Sequence, residues 1–235
     1  MYIRLPELAS DEQAGYYKAS ELPPRLMALQ DAILRPAQEL GVTHILPGDA
    51  RQEELNRRLF ESLQTRIITT TGTDFFRNKQ MELSAAISRG GRLRVLFGEP
   101  NSAFFEGVAE VEGAHKDQAA SEIMKRWEGE ISEVRATLRG ILRKAEASRG
   151  AQAGTVPVLC GYVGMRFRIT AILCEGPGED SWARVTLTLP PEQAIASMSL
   201  ECVPTRLTNS LYAQLDRHFE TNWFISEKAE KTFKP

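Results

Sequence analysis

The chain is poor in the residues on which much protein chemistry depends. It has three cysteines (Cys160, Cys174 and Cys202) and three histidines (His44, His115 and His218) among 235 residues. The cysteines are odd in number, widely spaced and set in apolar, strand-like runs, with no Cys-x-x-Cys, so buried reduced thiols are expected instead of disulfides. The histidines are scattered, and neither a metal centre nor a cofactor is expected. No apolar run approaches the roughly 20 residues needed to cross a bilayer. The opening MYIRLPELASDEQ lacks the basic-then-apolar order of a signal peptide. The expected compartment is the cytoplasm, with no membrane partner. A basic excess is also missing: 29 Lys and Arg stand against 31 Asp and Glu, a formal charge of −2. Charge therefore gives no indication of nucleic-acid binding. Arg89, Arg92 and Arg94 are close in sequence and read as rim and edge-strand charges.

What is present is ordinary for a globular protein: 42% hydrophobic and 26% charged residues, in a chain long enough to bury one sizeable core. Residues 1–50 read as an N-terminal appendage, with a short strand at the start and helical spacing in Leu26, Leu29, Ile33 and Leu40. Pro36 interrupts that spacing and Gly41 ends it. Asp49, in the turn LPGDA, is placed to cap a helix over 51–64 whose apolar face is Leu55, Leu59, Phe60 and Leu63. Residues 51–228 are expected to form the main domain, and 229–235 a tail.

The most informative segment is RIITTTGTDFFRNKQMELSAAISRGGRLRVLFGEP, residues 66–100. A β-branched run (66–70) leads through a Thr-Gly-Thr-Asp turn into a helix ending near Arg89, with Phe75, Phe76, Met81, Leu83 and Ile87 available to a core. Gly90-Gly91 stops the helix and 93–97 is a second strand. This is a βαβ unit with parallel strands. The ends of such strands are where open α/β sheets bind ligands. Thr71, Gly72 and Thr73 follow the first strand and Glu99, Asn101 and Ser102 the second. Backbone N–H groups and hydroxyls at a helix start favour an anion there.

Further on, Ile123, Trp127, Ile131, Val134, Leu138 and Leu142 recur every three or four residues, one buried stripe of a long helix over about 118–147. The period then shortens. Segments 156–163, 165–174, 182–189 and 195–203 read as strands, with Gly176-Pro177-Gly178-Glu179-Asp180 as a hairpin loop. A closing helix over 205–228 carries Leu207, Leu211, Leu215, Phe219 and Trp223. The fold class is α/β with a mixed sheet, in the order α–βαβα–α–ββββ–α.

This order, with the segments SRGGRLRVLF and LDRHFETNW, resembles one half of the phospholipase D-like fold over roughly residues 65–225, and looks closest to its divergent bacterial members. Active members carry His-x-Lys-x4-Asp on a later hairpin. The equivalent here is Met165-Arg166-Phe167-Arg168-Ile169, with arginines in place of His and Lys and Leu173 in place of Asp. An arginine stays protonated and cannot attack phosphorus, yet Arg166 and Arg168, alternating on a strand, can hold a phosphate or carboxylate. The resemblance thus implies a catalytically degenerate sensory or regulatory module. It would bind a phosphorylated small molecule, a nucleotide or a partner protein, work as a homodimer, and serve a bacterial defence or stress system.

Two other readings stand beside it. One is a phosphodiesterase, nuclease or other hydrolase with displaced residues, for which His115, His218 and Glu99 are the candidates. His115-Lys116-Asp117 is contiguous, so its side chains do not share a strand face, and it reads as the start of a helix capped by Asp117. His218 reads as a histidine at the edge of the core. Asp74 and Glu106 are the carboxylates considered as partners for Glu99. The other reading is a structural subunit of a larger assembly, docked through the long helix and the appendage.

Overall fold

The computed structural model describes residues 2–3, 17–18, 37–47, 50–100, 102–149, 157–164, 169–178, 180–187 and 198–235. Two short strands, β1 (Tyr2–Ile3) and β2 (Tyr17–Lys18), pair with each other. The main sheet has seven strands: β3 (Val42–Pro47), β4 (Gln64–Thr69), β5 (Arg92–Gly98), β6 (Val158–Val163), β7 (Ile169–Glu175), β8 (Ser181–Leu187) and β9 (Met198–Cys202). Their spatial order is β3-β9-β8-β7-β4-β5-β6. Strands β4, β5 and β6 run parallel and the other neighbours are antiparallel. The sequence places the start of the α/β domain at residue 51, but β3 pairs with β9 and so puts residues 42–47 into the same sheet.

Helices α1 (Gln52–Glu61), α2 (Thr73–Asn78), α3 (Gln80–Ser88) and α5 (Ala120–Arg149) bury their apolar stripes on one face of the sheet, around Ile67, Val95, Phe97, Ile172 and Trp182. Helix α6 (Leu211–Lys228) covers the other face, setting Phe219 and Trp223 against Ile68, Leu96 and Ala171. Helix α4 (Ala103–Lys116) packs on α5 through Phe105 and Trp127, whose rings meet edge to face at 5.1 Å. The middle strands are buried from both sides: in β4 every residue after Gln64 is buried, Thr65, Arg66 and Thr69 as well as Ile67 and Ile68.

Several sequence expectations need correction. Segment 156–163, read as a strand without a partner, returns beside β5 as β6, in parallel, after the long α4–α5 crossover. The hairpin read at 176–180 joins β7 to β8, with Gly178 at φ +71° and the Gly176 N–H bonded to the Asp180 carbonyl. The helix expected over 73–89 is two, broken at Lys79, whose ammonium is nearly buried and donates to Asn56 Oδ1 at 2.7 Å. Met81 is 80% exposed, and Phe60 and Leu63 also face solvent. The N-cap of α1 is Arg51, while Asp49 lies outside the described residues. The last helix begins at Leu211, where the Ser210 hydroxyl accepts from the Ala213 N–H, and Leu207 is exposed before it. Cys160, Cys174 and Cys202 are buried and free. No helix among the described residues is long and apolar enough to cross a membrane.

Candidate functional site at the ends of two parallel strands

A cavity of about 380 Å³ opens where β5 and β6 end, lined by Glu99, Pro100, Glu128, Ile131, Ser132, Arg135, Tyr162 and Lys231. Each wall has its own support. The Glu99 N–H bonds the Val163 carbonyl at 2.9 Å, extending the β5–β6 ladder one step past the strand. Its carbonyl accepts from the Ser102 backbone N–H (3.1 Å) and hydroxyl (2.8 Å). Glu99 is therefore held where the chain leaves the sheet for α4.

The far wall comes from the segment after α6. Glu230 adopts a left-handed conformation (φ 54°), its N–H bonds the Glu227 carbonyl, and the Lys231 N–H bonds the Ser226 carbonyl. These are the paired bonds of a Schellman helix stop, with glutamate where glycine is usual. The stop turns the chain back along β6, where Phe233 and Cys160 exchange two backbone hydrogen bonds. The Lys231 ammonium then reaches the Glu99 carboxylate as an ion pair. The Phe233 ring lies 5.3 Å from that of Tyr162.

Helix α5 closes the site. Glu128, Ser132 and Arg135 stand beside the buried Ile131 on successive turns. The Arg135 guanidinium lies 4.3 Å from the centre of the Phe233 ring. Its Nε is buried without a hydrogen-bond partner, and among the described residues it has no acidic partner. Such a guanidinium, packed on an aromatic face, is suited to a carboxylate or phosphate.

The residues expected from sequence divide clearly. Glu99 lines the cavity. Ser102 does not line it but fixes Glu99, and its hydroxyl makes no cap bond to α4. Thr71, Gly72 and Thr73 stand at the end of β4, outside the lining. Thr73 opens a helix of only six residues, and its hydroxyl is buried without a partner. Asn101, Arg166 and Arg168 lie outside the described residues. His115 sits in the last turn of α4 and Asp117 is that helix's C-cap (φ 53°), so the trio ends a helix and does not begin one. His218 is exposed on α6, its carbonyl accepting from Asn222 Nδ2 at 2.7 Å. Neither Asp74 nor Glu106 lines the cavity; the second carboxylate there is Glu128. No cluster of three or more His, Cys, Asp or Glu suited to a metal occurs among the described residues.

Two further charge clusters are closed into the fold. Arg66, 3% exposed on β4, binds Glu175, Asp216 and Glu220 beneath α6. Arg94 on β5 also donates to Glu220 and lies 5.2 Å over the Phe219 ring. Burial would raise the Glu220 pKa, but hydrogen bonds from Arg94 and Arg66 outweigh it and hold the carboxyl below its ordinary value. On the opposite face Glu201, fully buried, is shared by Arg51 (2.5 Å), Arg184 (2.9 Å) and His44 (3.2 Å). Burial, then Arg51, lowers the Arg184 pKa. The first cluster ties α6 to β4, β5 and β7, and the second ties β3, β8 and β9 to the start of α1.

The molecule is thus a three-layer α/β protein with a polar cavity at the ends of its parallel strands. No protein-family model and no curated protein matches the chain. The solved structures similar to it include the following two. TrmBL2, an archaeal chromatin protein described as showing a novel mode of DNA binding, aligns with 90% of this chain at TM-score 0.40 and 11% identity. This chain spans 64% of TrmBL2. Nuc from Salmonella typhimurium, a phospholipase D family member, aligns with 77% of this chain and 91% of its own at TM-score 0.39 and 9% identity.

Proposed function

We propose that this chain is a ligand-binding regulatory module that takes a small molecule with an anionic group into the cavity between β5, β6 and α5. The observation that carries this reading is Arg135: a cation without an acidic partner among the described residues, braced on Phe233, in the wall of a cavity at parallel strand ends. The volume is within the range of small-molecule sites. The loss of catalysis implied by the phospholipase D-like resemblance, the pairing of two copies and a role in a bacterial response belong to the same proposal. Light scattering tests the pairing.

A hydrolase is the second reading, favoured by one observation: Glu99 and Glu128 line the same cavity. It requires turnover of a glycoside or phosphodiester that Glu99→Gln abolishes.

A thermal-shift screen against nucleotides, cyclic nucleotides, sugar phosphates and amino acids tests the binding reading. A ligand at a hundredfold excess over its Kd adds about 2.7 kcal/mol of stability. The expected result is a shift that Arg135→Gln removes and His218→Ala leaves intact. A shift indifferent to Arg135→Gln, or none with any anion, contradicts the reading.

A further inference from the structure

We infer that the ligand of this cavity is an elongated zwitterion, its anionic end on Arg135 and its cationic end on Glu128. This rests on the binding reading above and narrows it to a chemical class. Four charged side chains line the cavity. Glu99 and Lys231 are joined to each other, and each satisfies the other's charge. The charges left over are Arg135 and Glu128, which have no ionic partner among the described residues. They are of opposite sign and lie on the same helix.

Their spacing sets the shape of the ligand. Positions 128 and 135 are seven residues apart, two turns, which separates their Cα atoms by about 10 Å along the axis. Ser132 lies between them, one turn from Glu128, on the same stripe. Pro100, Ile131, Ser132 and Tyr162 line the cavity beside these two charges. The complementary molecule carries a carboxylate or phosphate at one end, an ammonium at the other and a short chain or peptide unit between them. A dianion of the same length meets the Glu128 carboxylate with its second charge, and a diamine meets Arg135 in the same way. Both are discriminated against by like-charge contact.

The test is calorimetric titration of the full chain with α,ω-amino carboxylates from 4-aminobutanoate to 8-aminooctanoate, each beside the dicarboxylate and diamine of equal length. One zwitterion is expected to bind at least about tenfold more tightly than its dicarboxylate. Glu128→Gln is expected to erase that preference, and Arg135→Gln to abolish binding of both. A dicarboxylate that binds as well as the zwitterion and still depends on Arg135 overturns this inference and leaves the anion reading standing. Binding that ignores Arg135→Gln overturns both. If none of the series binds, the zwitterion inference fails and the anion screen decides the broader reading on its own.

Discussion

Ser226 of α6 lies directly over Gly161 of β6, so that a Cβ on the glycine would stand 2.6 Å from the serine Oγ and 3.1 Å from Leu96 Cδ2. The same Oγ accepts from the Tyr162 N–H at 3.2 Å. This contact seats α6 on the sheet and holds the strand from which Tyr162 faces the cavity. Gly161→Ala forces Ser226 aside and costs it that bond. A loss of about 1–3 kcal/mol is expected, measured as the shift in urea midpoint at constant slope. An unchanged midpoint would show that α6 has room to move.

Glu230 occupies the left-handed position of the helix stop that aims Lys231 at Glu99. That conformation costs a non-glycine residue about 1–2 kcal/mol. Glycine there returns about 0.4–1 kcal/mol of the gain through its freer unfolded chain. Glu230→Gly is therefore expected to stabilise the fold by about 0.5 kcal/mol net, and Glu230→Val to destabilise it.

Acid should weaken the fold through a defined set of carboxyls. Hydrogen bonds from Arg57, joined by Arg58, bring Glu54 from 4.5 to about 2, and the arginines under α6 likewise depress Glu220. A carboxyl whose folded pKa lies below its unfolded value stabilises the fold above the unfolded value. It loses that contribution as pH falls through the folded one. Stability should thus decline from about pH 4.5 downward. Glu54→Gln and Glu220→Gln should be less stable at neutral pH yet lose less on acidification. Parallel pH profiles for the variants and the parent contradict this assignment.

Burial pushes the thiols of Cys160, Cys174 and Cys202 up to about 12. The thiolate is the reactive form. None should react with a disulfide reagent at pH 8 in the folded protein, and all three should react once it is unfolded. Fast labelling of any one in the native state would place it outside the core.

How much of this was legible in the sequence depended on how local the cause was. The β4–β5 unit could be read because Ile67, Ile68, Thr69 and Thr70 are β-branched, residues 93–97 are mostly apolar, and Gly90-Gly91 marks the return. The stripe of α5 could be read because its partners are all on one helix. The partner of β6 could not, since a run such as VLCGYV carries no mark of which strand it joins, and the α4–α5 crossover separates it from β5. The break at Lys79 has no glycine or proline to announce it, and the Lys79 side chain there bonds Asn56 on another helix, a contact that local sequence does not show. In the cavity, Glu99 was legible as a strand-end carboxylate. Arg135, Glu128 and Ser132 were not legible, because nothing in the helix itself says that it passes the strand ends. Lys231 depended on a left-handed glutamate that no helix-stop rule anticipates.

The central claim is that small ligands enter between Glu99, Tyr162 and Arg135. Amide chemical-shift mapping by NMR, recorded while the best compound of the thermal-shift screen is titrated in, tests it most directly. The account predicts that the largest perturbations fall on Glu99, Ser132, Arg135, Tyr162 and Lys231, and that Arg135→Gln removes them. Perturbations centred instead on Thr71–Thr73 or on the 165–168 segment, with the cavity residues unmoved, contradict it.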